Sequence, residues 1–125
     1  MLDSPGWHFW LVGFALTVIF ELPVVWWVLR PGEPNSVRRA LLFLIANLAT
    51  HPLVWFFFPG LPVPRPVSFV LSETFAVGVE AACFAALGHA VGVRRACVAS
   101  LIANLTSVTL GWLLIRSFGR WLFTP

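Results

Sequence analysis

A chain of 125 residues has room for one domain, and one with 59% hydrophobic and only 10% charged residues cannot bury its apolar surface in an ordinary soluble core. The net charge of +3 rests on arginine alone. The arginines sit singly or in pairs at the ends of apolar runs, which excludes a nucleic-acid-binding patch and points to membrane anchoring.

The segment before the first apolar run carries Asp3 and no basic residue, so the n-region of a secretory signal is missing and the first helix is expected to stay in the mature protein. Four apolar runs follow, at 7–29, 40–58, 67–87 and 96–115, each long enough to cross a bilayer as a helix. Arg30-Pro31-Gly32-Glu33-Pro34-Asn35 ends the first as a turn. Pro59-Gly60-Leu61-Pro62-Val63-Pro64-Arg65-Pro66 ends the second, and Gly88-His89-Ala90-Val91-Gly92 closes the third. Pro23 and Pro52 fall inside spans, where a membrane helix tolerates a kink if neighbours satisfy the freed carbonyl.

The predicted fold is therefore an all-α membrane protein of four transmembrane helices filling residues 1–125, with an interfacial tail at 116–125 around Arg116, Phe118, Arg120 and Trp121. Arg30, Arg38 and Arg39 flank the first loop and Arg94 and Arg95 the third, so the positive-inside rule puts those loops in the cytoplasm and both termini outside, in a cytoplasmic (inner) membrane. Arg116 and Arg120 run against that orientation.

Two stretches repeat. Arg38-Arg39-Ala40 leads to Leu44-Ile45-Ala46-Asn47-Leu48-Ala49-Thr50, and Arg94-Arg95-Ala96 leads to Leu101-Ile102-Ala103-Asn104-Leu105-Thr106-Ser107, one residue out in spacing. Glu21 and Glu80 lie upstream of each. The pattern reads as a tandem duplication of a helical hairpin, repeat 1 at 7–58 and repeat 2 at 67–115, related by a pseudo-twofold axis along the membrane normal.

At the helical rise, Glu21, Asn47, Glu80 and Asn104 each fall roughly 12 to 13 Å from the nearest cytoplasmic helix end, near the membrane midplane. Helical spacing adds Thr17, Thr50, His51, Glu73, Ser100 and Ser107 on the same faces. A carboxylate at the bilayer centre costs about 2.5 to 3.5 kcal/mol, so the acids must face inward toward partners, protons or water. The amides and hydroxyls taken singly are ordinary interhelical glue, at roughly 0.6 kcal/mol per hydrogen bond, whereas a buried acid is a poor choice for glue. Glu73 stands nearer the outer surface and is read as reaching water. His51, before Pro52, has the chemistry of a metal or haem ligand or a proton carrier; the simpler reading hydrogen-bonds it to a neighbouring glutamate.

The remaining features read as scaffold. Trp7, Trp10, Trp26, Trp27, Trp55 and Trp112 fall near span ends as aromatic belts. Gly78, Ala81, Ala82, Ala85, Ala86 and Gly88 give the third helix a small-residue surface suited to the bundle centre or a dimer interface. Cys83 and Cys97 have no C-x-x-C spacing, imply neither zinc nor disulfide, and read as packing residues.

These observations favour transport or permeation of a proton, cation or small polar solute, with Glu21, Asn47, His51, Glu80 and Asn104 as the site and Thr17, Thr50, Glu73, Ser100 and Ser107 in support. Four short helices enclose little, so this reading implies a homodimer in the lipid bilayer. The alternative is an accessory subunit of a larger membrane complex. An intramembrane enzyme is a third reading, disfavoured because no spacing links a nucleophile or metal pair to His51. No catalytic residue, metal or cofactor is predicted.

Overall fold

The computed structural model describes residues 5–123, with side chains from Gly6 to Gly119. It is all-helical: α1 (Pro5–Val28), α2 (Ser36–Pro52), α3 (Arg65–Leu87) and α4 (Val93–Phe123), with α2 continued by a π-helical turn at Leu53–Phe57 and a 3-10 turn at Phe58–Gly60. All four helical stretches are long and apolar enough to cross a membrane. Each helix packs on its chain neighbours, and α4 returns to α1, closing a four-membered ring. The small-residue helix α3 is thus one wall of the ring rather than its centre.

Local chemistry sets the helix ends. The Asn35 side chain accepts the Arg38 backbone N–H at 3.0 Å and caps α2, while prolines at 64 and 66 flank the start of α3. Pro52 has no N–H to give. Beyond it the Leu53 N–H bonds back to Thr50 O and the Phe58 N–H reaches Leu53 O, a tight turn followed by a wide one. The chain continues as a helix but with a changed face, which turns Trp55 inward. The fourth helix does not stop at residue 115 but runs on to Phe123, so the segment read as a tail is helical as far as it is described. Within it the Arg116 guanidinium lies 5.1 Å from the Trp112 ring centroid; Asp3 and the side chains of Arg120 and Trp121 lie outside the described residues.

The packing is inverted relative to a soluble bundle. Leu41, Ile45 and Leu48 on α2, Val67, Val70 and Leu71 on α3, and Leu101, Ile102 and Leu105 on α4 point outward, while Glu21, Asn47, Thr50, Glu80, Ser100 and Asn104 are buried. Such a surface is suited to contact with lipid. Most of the buried apolar core lies in one half of the bundle. Val25, Leu29, Leu42, Phe43, Phe84, Val91, Ala96 and Ala99 fill the space between the Glu/Asn layer and loops 29–35 and 88–92.

Those two loops are bound to each other. The Ala90 N–H donates to Gly32 O at 2.9 Å and the His89 N–H donates to Glu33 Oε2 at 2.9 Å. Arg38 reaches Glu33 Oε2 at 3.4 Å and Leu87 O at 3.3 Å, and Arg95 reaches Val28 O at 3.1 Å. Arg39 is only 3% exposed; it donates to the carbonyls of Glu33 and Pro34 at 2.7 and 3.0 Å and lies 4.5 Å from the Trp26 ring centroid. Arg38, Arg39 and Arg95, read from sequence only as charges marking a membrane side, therefore also tie the loops and helix ends together.

Two results are expected from this clasp. A Cβ on Gly32 would stand 2.8 Å from Ala90 O and 3.0 Å from Val91 Cα, both backbone atoms that cannot swing aside. Gly32→Ala should therefore cost about 1 to 3 kcal/mol, read as a lowered unfolding midpoint in detergent. Glu33 is held below the ordinary carboxylate value of 4.5, first by the His89 N–H and then by the Arg38 charge against some burial. A lowered carboxyl stabilises the fold fully above its unfolded value and loses that contribution as pH falls through the folded one. Acidification from pH 5 to 3 should lower the unfolding midpoint more in the wild type than in Glu33→Gln; equal losses would disprove the assignment.

Candidate functional site

One layer across the middle of the bundle gathers the polar side chains of all four helices. The Glu80 carboxyl, 2% exposed, accepts from Asn104 Nδ2 at 2.6 Å, from Ser100 Oγ at 3.3 Å and from Thr50 Oγ1 at 3.2 Å. Glu21, also 2% exposed, accepts from the Ser107 hydroxyl through Oε1, and its Oε2 has no hydrogen-bond partner. Asn47 lies close enough to interact with the Glu21 carboxyl while its amide donates to Phe43 O at 3.4 Å. The two acids are therefore unequally served: Glu80 has donors on α2 and α4, and Glu21 keeps one oxygen free.

The helical register explains the gathering. Thr17 and Glu21 are one turn apart on α1, Asn47, Thr50 and His51 share a face of α2, and Ser100, Asn104 and Ser107 share a face of α4. On α3, Glu73 is half-buried two turns from Glu80 and lines the same cavity. All ten residues singled out from sequence fall on this layer or its rim.

His51 departs from its predicted bonding. It meets no glutamate; its Nε2 stands 3.4 Å from Thr17 Oγ1, and its buried Nδ1 has no partner. Aromatic rings surround it instead. Trp10 and Phe14 approach edge-on at 5.8 and 5.1 Å between centroids, and Trp55, one turn along α2, stacks at 5.8 Å. Gly13 makes room, since a Cβ there would run into the Trp55 ring. Trp10 and Trp55 thus pack inward around His51. The signals available in sequence were the four-residue spacing of His51 and Trp55 and of Trp10 and Phe14.

The layer forms the floor of a cavity of about 380 Å³, in the range of small-molecule sites. Glu21, Glu73 and Glu80 line it with Asn47, Asn104, Thr17, Thr50, Ser107 and His51, and the rest of its wall is apolar or aromatic, including Leu16, Phe20, Trp55, Val108 and Trp112. A second cavity of about 520 Å³ lies beside it toward the loop at 61–64, lined by Arg65, Ser68, Ser72 and Glu73. Val54, Trp55, Phe69 and Glu73 border both. A chain of polar groups therefore runs from Arg65 inward to the two buried acids. Arg65 and Ser72 carried no sequence signal beyond their helix positions.

Among the described residues, no group of three His, Cys, Asp or Glu side chains is placed to hold a metal ion. The acids are spread around a cavity rather than converged on a point. Such an arrangement can bind a small cationic or hydrogen-bonding species, or carry protons between groups, in a low-dielectric surround. No protein-family model, curated protein or solved structure matches the chain, so its role is read from this geometry.

Proposed function

We propose that this protein is a small membrane transport or permeation protein that works as a homo-oligomer and moves a proton, a cation or a small polar solute through the site formed by Glu21, Asn47, His51, Glu80 and Asn104. The observation that carries the reading is the pair of glutamates, each 2% exposed, on the floor of one cavity halfway along helices whose outer surfaces are apolar. A bundle needing only glue would use amides and hydroxyls there; ionisable groups in the middle of a span mark pathways.

The proposal includes a tandem hairpin duplication with a pseudo-twofold axis, and reciprocal contacts support it. Thr50, one turn past Asn47, donates to Glu80 of the other hairpin, and Ser107, one turn past Asn104, donates to Glu21. Arg38 donates to the last carbonyl of α3, at Leu87, and Arg95 to the last carbonyl of α1, at Val28. In that pairing Arg38 corresponds to Arg95, and arginine and asparagine keep the same separation in both halves, so the one-residue slip disappears. The proposal puts the end of the bundle at loops 29–35 and 88–92 in the cytoplasm and both termini outside a cytoplasmic membrane, supported by the arginines around those loops.

A second reading, an accessory subunit of a larger membrane complex, rests on the outer face of α3. Thr74, Gly78, Ala82 and Ala86 follow there at four-residue spacing, all exposed, a surface that lets another helix approach closely. Native mass spectrometry of the gently extracted protein separates the two. A homodimer whose reconstituted form conducts a proton or solute flux that Glu21→Gln reduces about tenfold or more supports transport. A stoichiometric complex with other proteins and no flux from the isolated chain replaces it with the accessory role.

A further inference from the structure

We infer that the cavity binds an organic cation, an ammonium group carried on an apolar body, entering from the side of the loop at 61–64; this deepens the transport reading and rests on it.

Charge comes first. Three carboxyl groups line the cavity, and no arginine among the described residues does. Glu80 accepts from Asn104, Ser100 and Thr50, but Glu21, which also lines the cavity, keeps a buried oxygen, Oε2, with no hydrogen-bond partner. An acceptor held out of water without a donor is a vacancy for a donor or a positive charge.

The rest of the wall chooses the kind of cation. A hard divalent ion is held by several oxygens converging on one point, carboxylates foremost, and among the described residues no three His, Cys, Asp or Glu side chains are placed to hold a metal. A proton alone requires no space of about 380 Å³. Apart from its polar floor the cavity is bounded by Leu16, Phe20, Trp55, Val108 and Trp112, which solvate hydrocarbon, and aromatic rings attract ammonium groups as well. Acid at the floor and hydrocarbon around it match a molecule with a charged head and an apolar body.

Shape gives the direction of entry. The apolar core fills the half of the bundle next to loops 29–35 and 88–92. The second cavity continues the first toward the opposite end, through Glu73 and Ser72 to Arg65.

The test is isothermal titration calorimetry of the detergent-solubilised protein with benzyltrimethylammonium, with benzyl alcohol as the uncharged comparison and potassium chloride as the inorganic one. The expected result is saturable binding of benzyltrimethylammonium alone, weakened about tenfold by Glu21→Gln and a few-fold by Trp55→Leu. Glu73→Gln, at a half-buried position bordering both cavities, should weaken it as well. Equal binding of benzyl alcohol, displacement by equimolar potassium, or unchanged affinity in a monodisperse Glu21→Gln and in Glu73→Gln would overturn the assignment. Saturable binding without any flux in proteoliposomes removes the transport reading and leaves the site. Flux of protons or potassium without benzyltrimethylammonium binding removes the organic-cation assignment and leaves transport.

Discussion

Glu80→Ala should unfold the detergent-solubilised protein at a distinctly lower midpoint than the wild type, whereas Glu80→Gln should leave the midpoint close to wild type and abolish flux. Three donors converge on this carboxyl, from Thr50 on α2 and from Ser100 and Asn104 on α4, so it joins the hairpins as well as lining the cavity. Alanine leaves those donors facing a void. Ser100 and Thr50 can fall back on Val77 O and Ala46 O, which they already approach at 2.9 and 3.1 Å, and Asn104 on Ser100 O at 2.9 Å. The loss is therefore limited to the interhelical bonds and the vacated volume, about 2 to 3 kcal/mol in all. Glutamine keeps the volume and one accepting oxygen, and its amide can donate to the Thr50 hydroxyl. What glutamine removes is the charge and the ability to take up a proton, which any cation or proton pathway through this layer requires.

Glu21 supplies the internal control. It has one hydroxyl donor, from Ser107, the Asn47 amide nearby and one oxygen without a hydrogen bond, so Glu21→Ala should cost less stability than Glu80→Ala while its effect on flux is as large. Equal destabilisation by the two alanine variants, or full flux in both glutamine variants, would refute the division of roles between an acid that holds the layer together and one that is open to a ligand.

Much of this layer was legible in the sequence because membrane helices obey a severe constraint: a polar group that cannot reach water must face another helix. Counting from the helix ends at Arg30, Arg39, His89 and Arg95 puts Glu21, Asn47, Glu80 and Asn104 at one depth, and a shared depth in a bundle of four helices points to a shared site. The partners were less legible. That Thr50 serves Glu80 and not Glu21 depends on which helices are neighbours around the ring, and periodicity does not report that. His51 was misread for a related reason. Its surroundings depend on the rewinding of α2 after Pro52 and on the space at Gly13, and both are consequences of packing rather than of pattern. Glu33 passed as one turn residue among several because a loop acid ordinarily sits in water. Only the meeting of the two loops makes it the buried acceptor for the His89 N–H.

The asymmetry along the bundle axis was invisible in composition, since both halves of every helix are apolar, and it leads to the second large expectation. With Cys83 and Cys97 replaced by serine, a cysteine at Val54, which borders both cavities, should react with a charged, membrane-impermeant methanethiosulfonate reagent added from the side of the loop at 61–64. A cysteine at Ala99, fully buried in the apolar core of the other half, should react roughly a hundredfold more slowly from either side, the rate ratio that corresponds to bringing a charge into hydrocarbon. Fast labelling at position 99 in an otherwise wild-type background would show that the packed half is not a seal. If the protein transports as proposed, that seal must open, and the groups that bind the two loops there are Glu33 on the His89 N–H, Ala90 on Gly32 O, and Arg38 and Arg95 on the last carbonyls of α3 and α1. Glu33→Gln removes the charge that Arg38 pairs with and weakens the acceptor for His89, so it should raise the labelling rate at position 99 and leave the rate at position 54 unchanged. An increase at both positions would mean general loosening of the bundle. An increase at 99 alone would identify the loop clasp as the barrier on that side, and the buried acids would then lie between a permanent opening and a closure that can be broken.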